Sequence, residues 1–255
     1  MKTSITNPRI TGVLGVLLWV GLWHFAALAI NEPLYLPRPL EVLERLVTIL
    51  GEKDLPIILA ASTLRVLTAF AFSTLLGVGL GTLCGLHPTL ENLFKPLVSL
   101  IRATPVISII ILAIVWLSSS NVPIFTGILM CFPIIWVSTV KGIQSTDPLL
   151  VEMANLYQVS SLRILHKVYL PGALPALKAG LVSALGLGFK VIAASEVLSL
   201  PRFAIGSLLH DAKVYLEIAD LVAWTLIIIA LSAVFEGLLE KSLALLTRSK
   251  EVNPL

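Results

Sequence analysis

The chain has 255 residues, of which 57% are hydrophobic and only 13% charged, with a mean hydropathy of +0.96. A soluble domain carries about 25% charged residues, so an ordinary soluble domain is excluded. The formal net charge of +3 is mildly basic, and its distribution along the chain says more than its total.

The apolar residues form continuous Leu/Ile/Val/Ala runs of around twenty, the length a helix needs to cross the hydrocarbon. Spanning segments must pair all their backbone groups, as helices or as a closed barrel. Barrel strands alternate over about ten residues, and no such alternation is present. The expectation is an all-α polytopic membrane protein with six transmembrane helices in one transmembrane domain over 1–255. The first span is 10–30. Lys2 and Arg9 precede it and Ala27-Leu28-Ala29 resembles a cleavage site. The run is nevertheless longer than the roughly 7–15-residue apolar core of a signal peptide, and it reads as a retained anchor. Next, Leu40, Leu43, Val47 and Leu50 recur at helical spacing opposite Glu41, Glu44 and Arg45. This predicts an amphipathic helix over 39–50, too short to span, lying on the outer interface.

The second span is 57–86, entering membrane depth near Ser62. Gly77, Gly81 and Gly85 recur every four residues along it and present one small face for close helix packing, with a neighbour either inside the chain, the favoured reading, or across a dimer. The third and fourth spans are 97–117 and 122–140; Pro105, Pro123 and Pro133 kink or start them. The fifth is 173–198 and the sixth 218–239. Cys84 and Cys131 sit inside apolar runs and read as small buried hydrophobes. His24 and His210 lack partners at ligand spacing, so no metal site is expected, and no catalytic residue is either. With the amino terminus inside, ten Lys and Arg fall on the inner segments, among them Lys2, Arg9, Lys141, Arg163 and Lys250. The outer segments hold five: Arg38, Arg45, Lys53, Arg202 and Lys213. By the positive-inside rule both termini and the 141–172 loop are cytoplasmic.

The 147–171 loop is the sizeable hydrophilic segment of the inner side. Asp147-Pro148 is a helix start, an acidic N-cap followed by proline at the first helical position. Leu149, Leu150, Met153, Ala154, Leu156 and Tyr157 fall largely on one side, and Glu152, Asn155 and Gln158 on the other. Ser160 or Ser161 starts a second short helix, with Leu162, Leu165 and Val168 inward and Arg163, His166 and Lys167 outward. Pro171 and Pro175 break the path back into the membrane. Two short helices nearly perpendicular to the spans are expected, held by their apolar faces. They form a knob suited to a groove on a partner.

Glu152-Met153-Ala154, then Gln158, then Val168-x-Leu170-Pro171 resembles the E-A-A, three residues, G, nine residues, I-x-L-P pattern. That pattern marks the permease subunits of binding-protein-dependent ABC importers. Met153 and Gln158 depart from it. Glutamine adopts positive φ with difficulty, which moves the expected bend toward Val159-Ser160. Leu36-Pro37-Arg38-Pro39, Ser62-Thr63-Leu64-Arg65, Arg102-x-x-Pro105 and Ala194-Ser195-Glu196 are similar to the branch that carries nitrate, taurine, sulfonates, bicarbonate and some thiamine-precursor or riboflavin-like compounds.

The resemblance implies a type I importer permease fold in a bacterial inner membrane, with cytoplasmic coupling helices between spans four and five. The implied partners are an ABC ATPase dimer, a second permease chain (a homodimer in this branch), an extracytoplasmic substrate-binding protein and membrane lipid, with no nucleic acid. Glu152, Met153, Ala154, Asn155, Tyr157, Gln158, Ser160 and Arg163 would meet the ATPase. ATP and Mg²⁺ would belong to that partner, because this chain has no G-x-x-x-x-G-K-[ST] loop.

Arg65, Arg102, Lys190 and Glu196 are ionisable at membrane depth and therefore functional candidates. One reading puts Arg102, Pro105, Lys190 and Glu196 along a path for an anionic solute. The other makes Arg102–Glu196 a structural pair and lets Arg65 and Lys190 snorkel to an interface. The competing classes fare worse. A secondary transporter often shows matched repeats, and 1–120 and 121–255 show none. A membrane enzyme needs several converging polar groups, and no such constellation occurs.

Overall fold

In the computed structural model, residues 8–251 are described for the backbone and 11–245 for side chains. The charges at Lys2, Arg9, Arg248 and Lys250 that entered the orientation argument lie outside the described side chains. Among the described residues the structure is helical, with no strand. Five helices among the described residues are long and apolar enough to cross a membrane, or six when one bent pair is taken as a single span. The chain divides into two compact units, one of residues 1–56 and 208–227, the other of 57–207 and 228–255.

In the first unit, α1 (Pro8–Ile30) is apolar on every side, and Val13, Leu17, Trp19 and Phe25 are all exposed. Such a surface is at home in lipid rather than water. The Nε1–H of Trp23 donates to the Pro37 carbonyl at 3.0 Å and ties α1 to the turn before α2 (Pro39–Leu50). Pro39 opens α2, and the Glu41 carboxylate accepts from the Arg38 backbone N–H at 2.9 Å, closing one orphan donor of the first turn. Val42 and Ile49 are buried while Leu40, Leu43, Val47 and Leu50 are exposed. The Arg45 guanidinium grips the Asp220 carboxylate with both its Nε and, at 2.6 Å, its Nη2. That bonding raises the pKa of Arg45 above its ordinary value.

The second unit is built on α3 (Leu55–Leu86, from Ile57 onward), α6 (Val122–Gln144) and α9 (Leu170–Ser199), with the last part of α11 (Ile218–Glu251) beside them. Small residues set the spacing. A Cβ added at Gly77, Gly81 or Gly85 would lie 2.8, 2.7 and 2.7 Å from the Cβ atoms of Ile135, Thr139 and Ile143, so the glycine face of α3 lies directly on α6. On the adjoining face of α6, Gly142 meets Ala173, Ser138 meets Gly180, and the Cys131 thiol donates to the Ala184 carbonyl at 3.2 Å. Val66, Ala69, Leu185, Phe189 and Ile192 form a core closed by Ile228, Leu231 and Phe235.

The stretch expected as one span over 97–117 is two helices, α4 (Pro88–Ala103) and α5 (Val106–Trp116), meeting at 96°. The break falls at Thr104-Pro105, where Thr104 is extended with ψ 129° and Pro105 caps α5. A residue before proline is pushed out of the α region, which ends α4 there. The helix also begins earlier than its apolar run, at Pro88 rather than 97.

Candidate functional site

The loop after α6 folds into α7 (Pro148–Leu156), α8 (Ser161–Ile164) and a π turn (Leu165–Tyr169). Asp147 is the N-cap of α7, its carboxylate accepting from the Leu149 N–H at 2.9 Å, with Pro148 at the first position. The expected shift of the bend to Val159-Ser160 does not occur. Gln158 itself takes the left-handed conformation, φ 54°. The Gln158 N–H donates to Asn155 O at 2.9 Å and the Val159 N–H to Ala154 O at 3.0 Å. This is a complete Schellman closure with glutamine where glycine is usual. Two backbone hydrogen bonds outweigh a conformational cost of about 1 kcal/mol.

Two further expectations are corrected. The apolar side of α7 does not anchor it. Leu149 is 69% exposed, Met153 53%, Leu156 82% and Tyr157 76%, and only Ala154 is buried. With Glu152, Asn155, Gln158, Ser160 and Arg163 also exposed, the knob presents an uncovered apolar surface bordered by polar groups. Nor does the second helix stand apart, because α8 runs without interruption through the π turn into α9. Pro171 has no N–H to offer the carbonyl four residues back, and its ring crowds that carbonyl. The widened turn absorbs this, the Leu170 N–H reaching back five residues to Leu165 O.

Glu196 is fully buried, and its partner is Arg65 rather than Arg102. Arg65 Nη1 donates to Glu196 Oε1 at 2.9 Å, Ser62 Oγ bonds the same carboxylate at 2.9 and 3.0 Å, and the Gly206 N–H donates to Oε2 at 3.1 Å. Arg65 also donates to the carbonyls of Arg202 (3.0 Å) and Phe203 (3.3 Å), and the Ile205 N–H donates to Ser62 Oγ at 3.0 Å. Arg65 therefore does not snorkel. It joins α3, the end of α9, the 200–204 loop and the start of α10 (Ile205–Val214); in the loop Leu200 and Phe203 both have positive φ, 49° and 50°.

The residues expected along a path are thus not one cluster. Lys190 is exposed on α9, and Arg102 and Pro105 are exposed at the α4–α5 break. Arg102 lines a cleft between α4 and α6 together with Glu91, Lys95, Ser99, Trp136, Lys141 and Gln144. Glu236 was not singled out from the sequence. It lies on α11, accepts from Ser232 Oγ at 2.6 Å and sits against Gly186 of α9. An acidic residue within an apolar run was the signal that pointed to it.

The family model described as "Binding-protein-dependent transport system inner membrane component" matches residues 77–242. The chain is 32% identical over 243 residues to the taurine transport system permease protein TauC of Escherichia coli, covering 93% of this chain and 86% of that protein. It is 28% identical over 163 residues to the bicarbonate transport system permease protein CmpB of Synechococcus elongatus, covering 64% of this chain and 59% of that one. Among solved structures, an amino acid ABC transporter crystallised with histidines superposes with a TM-score of 0.55 at 16% identity, covering 76% of this chain and 94% of that chain. At that identity the likeness concerns the fold alone.

Proposed function

We infer that this chain, which belongs to the family of binding-protein-dependent transport system inner membrane components and is the permease subunit of an ABC importer, forms one half of a paired channel for a small anion. It is a multi-pass inner-membrane protein, and ATP hydrolysis is the work of a separate subunit. In our reading, two identical permease chains pack together with both termini in the cytoplasm, and an extracytoplasmic binding protein delivers the solute. The relatives named for taurine and bicarbonate transport support a small sulfonate- or carboxylate-like cargo. A thiamine-precursor or riboflavin-like cargo is the alternative.

The observation that carries the docking proposal is the uncovered apolar face of α7. Leu149, Met153, Leu156 and Tyr157 would insert into a groove of the ATPase, with Glu152, Asn155, Gln158, Ser160 and Arg163 around them, while Ala154, expected among the docking residues, is covered by its own chain. Closure of the ATPase dimer on ATP and Mg²⁺ would then push α7 and the rod continuous with α9. The two ends of the permease would switch which one is open, a two-state element biased by a ligand bound elsewhere. Cysteine pairs between α7 and the ATPase groove test this in the whole transporter. Crosslinks at 149, 153 and 156 that block uptake are expected. A fully active transporter in which α7 reacts with no part of the ATPase would refute the docking.

A further inference from the structure

We propose that the cleft between α4 and α6 is an oxyanion-binding station on the solute's path, charged by Lys95, Arg102 and Lys141. This rests on the permease reading above and adds to it a named station and a ligand chemistry. On α4, Glu91, Lys95, Ser99 and Arg102 follow at spacings of four, four and three, one polar stripe over three turns. The opposite face carries Leu93, Leu97 and Leu100, which are 69%, 51% and 65% exposed. A helix arranged this way in a membrane protein gives its apolar face to lipid and its polar stripe to a hydrated interior. All four stripe residues line the same cleft, about 210 Å³ in volume.

The register of the two helices is antiparallel. Gln144 Nε2 donates to the Glu91 carboxylate at 2.5 Å at one end, while Val98 packs with Trp136 and Val140 further along. Arg102 consequently lies furthest from the α6 terminus, and Lys95 and Lys141 lie between. The one carboxylate of the cleft is engaged by Gln144. Among the described residues no carboxylate forms an ion pair with Lys95, Arg102 or Lys141. The cleft wall also holds Trp136, 4% exposed, whose indole N–H has no acceptor among the described residues. Three cations against one occupied carboxylate make a field that selects anions, and a guanidinium fork matches the paired oxygens of sulfonate, carboxylate or phosphate.

The test uses Ser99→Cys in the assembled transporter, in nanodiscs of phosphatidylcholine. Ser99 is exposed in the cleft and the native Cys84 and Cys131 are buried, so the parent protein supplies the background. Modification rates by 2-sulfonatoethyl methanethiosulfonate and its trimethylammonium counterpart are each divided by the rate on a free thiol. The anionic reagent is expected to be favoured about tenfold or more. Lys95→Gln with Arg102→Gln should bring the ratio near one, as should Lys141→Gln with Arg102→Gln, and methanesulfonate should slow labelling. Gln144→Cys, also exposed, gives the same readout if the thiol introduced by Ser99→Cys is unreactive. A ratio at or below one, or one unmoved by removing the cations, overturns the proposal. Protection by phosphatidylglycerol but not by methanesulfonate would make the cleft a lipid-headgroup site and overturn the solute path. Anion-selective labelling that leaves ATP-driven uptake intact would remove the station from the path while leaving the permease function standing. Loss of ATPase association would speak only to the docking proposal.

Discussion

Replacing Arg65 with alanine tests the clamp that joins α3, α9 and the segment 200–206 leading into α10. The Arg65 side chain is 11% exposed and that of Glu196 1%. The substitution leaves a buried carboxylate with Ser62 Oγ and the Gly206 N–H but no cation. Removing one member of such a pair costs about 3–5 kcal/mol. The bonds to the Arg202 and Phe203 carbonyls go as well, about 1 kcal/mol each at most, because freed carbonyls can reach water. Relaxation of the left-handed Leu200 and Phe203 returns up to about 1 kcal/mol each. The net loss is about 3–5 kcal/mol, which lowers Tm by about 6–20 °C for a chain of this size. Tryptophan fluorescence of the detergent-solubilised transporter on heating reads this directly. Glu196→Gln in the Arg65→Ala background should recover most of the loss, since the amide oxygen still accepts from Ser62 and Gly206 without a stranded charge. A fall of less than about 1 kcal/mol for Arg65→Ala, or strictly additive single and double variants, would refute the buried-pair account.

Gly81→Val places its Cβ 2.7 Å from the Thr139 Cβ and 3.1 Å from the Trp136 carbonyl. A loss of about 2–3 kcal/mol or of monodisperse yield on size exclusion is expected. Gly79→Ala, two residues earlier with nothing within 4 Å, should be neutral or stabilising by up to about 1 kcal/mol in the same assay. Gln158→Gly relieves the positive-φ cost and should raise Tm slightly, by about 0.5–1 kcal/mol in stability; a lower Tm would contradict the strain assignment. Leu156→Asp, at an 82% exposed position, should leave the Tm of the isolated permease unchanged while abolishing co-purification of the ATPase and uptake. Uptake at the parent rate would place docking elsewhere.

Where periodicity and local chemistry decide the structure, the sequence was readable. The 39–50 helix follows from its apolar spacing, its proline start and Glu41. The Asp147-Pro148 start of α7 follows from capping alone. The glycine face of α3 was visible as a four-residue repeat, although its partner Ile135, Thr139 and Ile143 needed coordinates. Hydropathy measures length and apolarity, so it joined α4 and α5 across Thr104-Pro105, where one backbone angle turns the chain. The Arg65–Glu196 pair spans 131 residues, and nothing local distinguishes it from an Arg102–Glu196 pair. Gln158 shows the reverse failure. Residue propensity argued against a bend that the hydrogen bonds of the preceding helix end impose. The exposed side of α7 was misjudged because an apolar stripe looks the same whether it is covered by its own chain or left for another.

The π turn at Leu165–Tyr169 has a consequence for how the rod is wound. A turn that takes in one additional residue sets every residue beyond it back by about 100° relative to regular winding. The side of the helix bearing Arg163 therefore cannot be extrapolated onto α9 by counting in threes and fours. Winding 165–169 as regular α-helix with no residue removed would leave both ends helical, yet it would swing the cytoplasmic tip by more than a quarter of a revolution, whereas deleting one residue there would leave its aim unchanged. Aim, rather than length or helicity, is what this five-residue irregularity sets.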